Sequence, residues 1–200
     1  MGTMTALELD SVSMVYGRRV LFHAVSARVE PGETLVVTGA NGAGKSTLLR
    51  IIAGLVRPED GHIRLPDSPA IGYAAPDVQL YAELTADENL DFFRQLRGLP
   101  PSSCEGVLPK VGLPRSRGGD LVGSYSSGMR QRLKLAVSLL GDPPVLIWDE
   151  PTLALDTAGA HLVDVLLNTH RRGGGIAVLA TNDPSEAARW ADLCLHVGRE

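Results

Sequence analysis

The chain has 200 residues, 44% apolar and 21% charged, which is enough to bury a sizeable core without staples. No apolar run approaches the ~18 residues of a membrane-spanning helix, and Met1–Asp10 lacks the basic-then-apolar pattern of a signal peptide, so a cytoplasmic chain is expected. Nineteen basic against 23 acidic residues leave a net charge of −4, which argues against a broad nucleic-acid face or a polybasic lipid contact.

In chain order, Leu7-Glu8-Leu9 and Val12–Tyr16 read as two short strands, and Gly17 turns the chain. Val20–Val29 continues extended to a turn at Pro31-Gly32. Thr34–Thr38 is a β-branched run of the kind buried on both faces. A glycine-rich loop follows, after which Leu48, Leu49, Ile52 and Leu55 recur at helical spacing. Ala70–Ala75 reads as a strand. Glu88–Arg97 reads as a helix with Leu90, Phe93 and Leu96 on one face and Gly98 at its end. Pro100, Pro101, Pro109, Pro114 and Gly118-Gly119 punctuate the next stretch. Val145–Trp148 is a buried strand. His161–Arg172 is a helix with Val163, Leu166 and Leu167 facing in, closed by Arg171, Arg172 and Gly173. Ile176–Ala180, Pro184–Trp190 and Leu193–Val197 read as strand, helix and strand.

Strands alternating with helices predict an α/β fold with a mainly parallel sheet; the early strands would form an antiparallel β flank. The chain is expected to be one domain. Residues 1–84 and 142–200 would form its catalytic core and residues 85–141 a helical subdomain. Cys104 and Cys194 are far apart and outside any C-x-x-C pair, so both are expected to be free thiols. The five histidines show no metal-ligand spacing.

Gly39-Ala40-Asn41-Gly42-Ala43-Gly44-Lys45-Ser46 matches G-x-x-x-x-G-K-[ST] at every position, between a strand and a helix. The glycines let backbone N–H groups converge on an anion, and the helix N-terminus adds its positive end. Lys45 would bring a charge to the β- and γ-phosphates of ATP. Ser46 would offer a hydroxyl to Mg²⁺, with Thr47 behind it. Val145–Trp148 runs into Asp149 and Glu150. Asp149 is the expected second Mg²⁺ residue, and Glu150 the group that orients and activates water. A plain glycine turn and a solvent-facing acidic strand end are the bland alternatives; the co-occurrence of both motifs outweighs them.

Ser126-Ser127-Gly128-Met129-Arg130-Gln131-Arg132, ahead of a helix and upstream of the paired acids, resembles the signature of ABC-type ATPases, usually written LSGGQ. Here Tyr125 replaces the leucine, Ser127 the first glycine and Met129 the glutamine. Leu153-Ala154-Leu155-Asp156 resembles the D-loop of that family. Tyr16 matches the aromatic that stacks on adenine; the alternative for Tyr16 is a strand aromatic packed in the core. The resemblance extends from Leu7 to Val197.

It implies a P-loop NTPase core with a helical signature subdomain, working as a head-to-tail dimer around two ATPs. The partner copy would be the same chain or a homologous ATPase subunit. Ser126, Ser127, Gly128, Met129 and Asp156 would join the nucleotide site, the signature residues facing the P-loop of the opposite copy. The dimer would drive a separate transmembrane permease, through residues 76–88 and the helix that follows, at the inner face of the membrane. No nucleic-acid partner is implied.

Two residues depart from the family pattern. The glutamine expected after the strand at 70–75 is Pro76, with Gln79 or Asp77 nearby. The histidine expected after Ile176–Ala180 is Asn182, which donates a neutral hydrogen bond but carries no charge. Slower hydrolysis is expected, with Lys45, Glu150 and Asn182 as its catalytic residues. The short chain, the segment from Ser124 to Lys134 and Ala180-Thr181-Asn182 look most like the haem-exporter ATPases of cytochrome c maturation. Multidrug or other small-molecule export is the alternative. A non-transport ABC ATPase or a weakly hydrolysing ATP clamp is the alternative of another class.

Overall fold

A computed structural model describes residues 5–66 and 70–198; residues 1–4 of the opening segment lie outside them. Strands β1 (Leu7–Tyr16) and β2 (Arg19–Val29) form an antiparallel hairpin. The two short strands expected at 7–9 and 12–16 are one strand. Ser11, at φ 53°, bulges it without ending it. Next come β3 (Thr34–Thr38), helix α1 (Lys45–Ile52) and β4 (Asp60–Arg64). Leu55 is not part of α1: Gly54 takes φ 73° and stops the helix, leaving Leu55 63% exposed.

The β4 segment, Asp-Gly-His-Ile-Arg, has neither a β-branched run nor a clean alternation, and it escapes a reading of the sequence. Pairing with β1 makes it a strand. Gly61 is required there, because a Cβ would stand 2.4 Å from the Ser11 carbonyl oxygen in the bulge.

Strand β5 (Ile71–Ala74) is followed by helices α2 (Ala86–Leu96), α3 (Val107–Lys110) and α4 (Ser127–Ser138) and three short 3₁₀ turns. A capping box starts α2 two residues earlier than its apolar periodicity suggests. The Glu88 N–H donates to the Thr85 hydroxyl at 3.2 Å, and the Thr85 N–H to the Glu88 carboxylate at 2.7 Å. Ala86, Asn89 and Leu90 are buried in its first half. The last turn overhangs the core, so Leu96 is exposed rather than inward.

The chain finishes with β6 (Val145–Asp149), α5 (Thr157–Arg172), β7 (Ile176–Ala180), α6 (Pro184–Trp190) and β8 (Leu193–His196). Gly173 caps α5 at φ −76°, and the left-handed turn falls on Gly174, at φ 81°.

The sheets have the orders β2-β1-β4, antiparallel, and β5-β6-β7-β3-β8, parallel. Side chains of the parallel strands alternate between two apolar cores, as a strand's period of two dictates. Val36, Leu146, Trp148 and Leu179 pack with Leu90, Leu108 and Leu133 of the helical stretch. Val37, Val145, Ile147 and Val178 pack with α1 and the antiparallel hairpin. Cys104 and Cys194 are free thiols. Among the described residues, no helix is long and apolar enough to cross a membrane.

Candidate nucleotide site

The order β6-β7-β3 brings three carboxyl strand ends to one edge, where open α/β sheets bind ligands. The P-loop leaves β3. Gly44, at φ 111°, is the N-cap of α1, and Gly39 takes φ 145°. A Cβ on Gly39 would stand 2.1 Å from the Val197 carbonyl oxygen, so only glycine passes under the end of β8. The first amides of α1 have no intrahelical acceptor and suit an anion.

Lys45 is buried. Its Nζ donates to the carbonyls of Gly39 at 2.9 Å and Ala40 at 3.3 Å, and to Asn182 Oδ1. Asn182 Nδ2 donates in turn to Asn41 Oδ1 at 2.8 Å. The residue in the histidine slot thus sits against the P-loop, 137 positions from Lys45 in sequence.

Asp149 ends β6 and is 4% exposed. Burial pushes its carboxyl pKa up, while the hydrogen bond from Ser46 and the charge of Lys45 oppose the rise. Glu150 follows at φ 49°, a conformation rare outside glycine and frequent where function imposes strain. Its backbone N–H donates to Ala180 at 2.9 Å, and its Oε1 is buried without a hydrogen-bond partner. Burial also raises the Glu150 pKa. The charge of Asp149 adds to the rise; Lys45 opposes it. Ser46 and Asp149 place a hydroxyl and a carboxylate side by side, a pair of hard oxygen donors that fits a divalent cation.

The signature residues start α4. Ser126 is its N-cap, and its hydroxyl oxygen accepts the Met129 N–H at 3.2 Å. A Cβ on Gly128 would stand 3.0 Å from the Ala154 carbonyl oxygen, and Met129 packs against the helical core. Asp156 caps α5, accepting the Gly159 N–H at 2.8 Å, with Arg132 Nη2 at 3.4 Å. Among the described residues, none of Ser126, Ser127, Gly128, Met129 and Asp156 hydrogen-bonds a P-loop residue.

The sequence profile of the ABC transporter family matches residues 22–153, which hold the P-loop, the start of α4 and the Asp149-Glu150 pair. The chain belongs to the ABC transporter family. It is an ATP-binding and ATP-hydrolysing subunit with the P-loop α/β fold. It is 37% identical over 195 residues to the cytochrome c biogenesis ATP-binding export protein CcmA of Rhizobium meliloti, covering 89% of this chain and 91% of that protein. It is 34% identical over 209 residues to the Nod factor export ATP-binding protein I of Rhizobium etli, covering 98% of this chain and 66% of that protein. It superposes on a dimeric ATP-binding cassette solved in a post-hydrolysis state with ADP and Pi. The TM-score is 0.83 at 25% identity, over 96% of this chain and 94% of that one.

In this ABC ATPase, Tyr16 is 53% exposed at the end of β1, which overturns the alternative of a core-packed aromatic. Across the hairpin from it, Arg19 donates to the Gly42 carbonyl at 2.9 Å and ties the hairpin end to the P-loop. In the glutamine slot, Lys134 Nζ grips the Pro76 carbonyl at 2.7 Å and that of Ala75 at 3.2 Å. Asp77 pairs with Arg50 at 2.8 Å, and its charge adds to the rise of the Asp149 pKa. Gln79 is exposed and makes no hydrogen bond to the site among the described residues. Gln131 of α4 is buried, and its Nε2 donates to the Pro151 carbonyl at 2.9 Å, holding the turn after Glu150. Arg19, Gln131 and Lys134 act on backbone carbonyls of remote segments, a role that carries no motif.

Proposed function

We propose that Lys45, Ser46, Asp149, Glu150 and Asn182 carry ATP hydrolysis in this ABC ATPase. The convergence of Lys45, Glu150 and Asn182 at neighbouring strand ends carries the reading. P-loop amides from Gly39 to Thr47 and the Lys45 ammonium bind the phosphates. Ser46 and Asp149 would hold Mg²⁺, which supplies charge neutralisation at the phosphates when bound. Glu150 Oε1 accepts a proton from the attacking water. As the water oxygen bonds to the γ-phosphorus, the bond to the β-phosphate oxygen breaks and ADP keeps its electron pair. Asn182 offers an amide donor to the γ-phosphate, and Tyr16 stacks on adenine. Steady-state Mg²⁺-ATPase assays test this. Glu150→Gln should lower turnover by about 10²–10³-fold. Equal rates in wild type and variant would overturn it.

Two copies close head to tail around two ATPs, so that Ser126, Ser127, Gly128 and Met129 of one face the P-loop of the other. The Ser126 hydroxyl proton is free to donate, because its oxygen serves as the cap acceptor. Asp156 sits in the same interface. Residues 85–141 act as a helical subdomain on the core of 1–84 and 142–200.

The dimer drives a separate permease at the inner face of the membrane. Its docking face is the irregular stretch at 76–88 with α2. Tyr81 and Phe92 are 46% and 38% exposed there and meet edge to face at 4.8 Å. Haem export for cytochrome c maturation is the transport reading supported by the CcmA relative. Export of another small molecule is the reading favoured by the Nod factor relative. Co-purification of the membrane subunit, with crosslinks from Asp77 or Tyr81, tests the docking face. Haem should then stimulate ATPase activity in the complex. Stimulation by another compound and not by haem would select the second reading.

A further inference from the structure

Glu186 is a carboxylate that the mechanism above does not use. It lies on α6 and is 7% exposed. Among the described residues it takes part in no ion pair, an expensive state for a buried acid. Both oxygens are instead filled by hydroxyls. Thr152 donates to Oε1 at 2.6 Å and Thr181 to Oε2 at 2.6 Å, both short, charge-assisted bonds. Thr152 stands two residues after Glu150, and Thr181 immediately precedes Asn182. The Thr181 hydroxyl oxygen also accepts the Asp183 N–H at 3.1 Å. The base of this bridge is firm: Asp183 caps α6, and Ala187 and Trp190 anchor the helix in the apolar core. A leucine or methionine of similar volume would avoid the desolvation cost. The carboxylate does what neither could, binding two separate hydroxyls at once.

We propose that Glu186 is a positioning residue for hydrolysis, bridging Thr152 and Thr181 so that Glu150 and Asn182 are held in one fixed relation across the γ-phosphate position. The inference rests on the assignment of Glu150 as the base. Four groups bear on the Glu150 carboxyl: Asp149 from β6, Lys45 from α1, Glu186 from α6 and the backbone of Asn182.

The test is kinetic. Glu186→Ala should lower kcat about 10- to 100-fold, as misplacement of a reacting group does, with KM for MgATP changed less than about threefold. Glu186→Gln keeps an acceptor oxygen and the side-chain volume. It should recover kcat to within about threefold of wild type. Wild-type kcat in Glu186→Ala would overturn the proposal. So would a folded Glu186→Gln as slow as Glu186→Ala. If Glu186→Ala does not fold, Thr152→Val and Thr181→Val replace it: reduced kcat at constant KM supports the bridge, and wild-type kcat in both overturns it. Glu150→Gln runs alongside. Turnover surviving in that variant would count against Glu150 as the base. Glu186 variants at full rate beside an inactive Glu150→Gln would count against Glu186 alone.

Discussion

Asn182 stands where the family resemblance leads one to expect a histidine, and its surroundings accommodate a neutral group. One side of its carboxamide accepts from Lys45 and the other donates to Asn41. A neutral group thus fills both hydrogen-bonding directions of the slot, but it adds no charge to the phosphate site. Asn182→His should raise kcat about tenfold and add a histidine titration to the pH–rate profile. An unchanged rate would show that this slot does not limit the chemistry. The acids beside it are held up by burial, so activity should fall on the acid side as pH drops through the raised Glu150 value, above the ordinary glutamate range. The linkage has a definite sign. A carboxyl raised in the folded state adds stability at low pH and loses it as pH rises through the folded value. Glu150→Gln should therefore melt at or above the wild-type temperature near pH 7, with the difference closing on the acid side. Thermal melts across that window check it.

At the scale of elements, side-chain caps fix the starts of several helices. Asp156 caps α5, Ser126 caps α4, and the Thr85–Glu88 box starts α2. Asp156, read from sequence as a nucleotide residue, has work within its own chain before any dimer forms. Asp156→Ala should cost about 1 kcal/mol in chemical denaturation of the monomer, with Asp156→Ser recovering most of it. A loss confined to the ATP-bound dimer would assign Asp156 to the interface instead. Arg132 ties α4 to both neighbours, donating to the Val111 carbonyl at the end of α3 at 3.0 Å and reaching Asp156 at the start of α5.

At the scale of the molecule, the parallel sheet stands between two cores, and Trp148 ties its strand to the helical side. Its Nε1 donates to the buried Ser138 hydroxyl at 2.9 Å. Ser138→Ala strands that N–H in an apolar setting and should cost about 1–3 kcal/mol, lowering Tm by roughly 2–4 °C per kcal/mol. The head-to-tail arrangement makes its own prediction. With ATP and Mg²⁺, Glu150→Gln should elute as a dimer by light scattering and return to monomer when nucleotide is removed. A monomer at saturating ATP would overturn the sandwich.

The P-loop, the strand ending in two acids and the alternation of strands with helices were legible in the sequence. Each is a contiguous stretch whose local chemistry demands particular residue types: glycine where amides converge, lysine and serine at the helix start, apolar runs where both strand faces are buried. Tertiary structure decided the rest. β4 becomes a strand only against β1, and Leu55 and Leu96 follow helical spacing yet stay outside the cores. Arg19, Gln131 and Lys134 reach carbonyls of distant segments. Asn182 meets Lys45, and Glu186 joins Thr152 to Thr181, because β6, β7 and β3 lie side by side. The physical reason is that hydrogen bonding to a buried group depends on what the folded chain brings near it. One residue's identity carries no record of that neighbour.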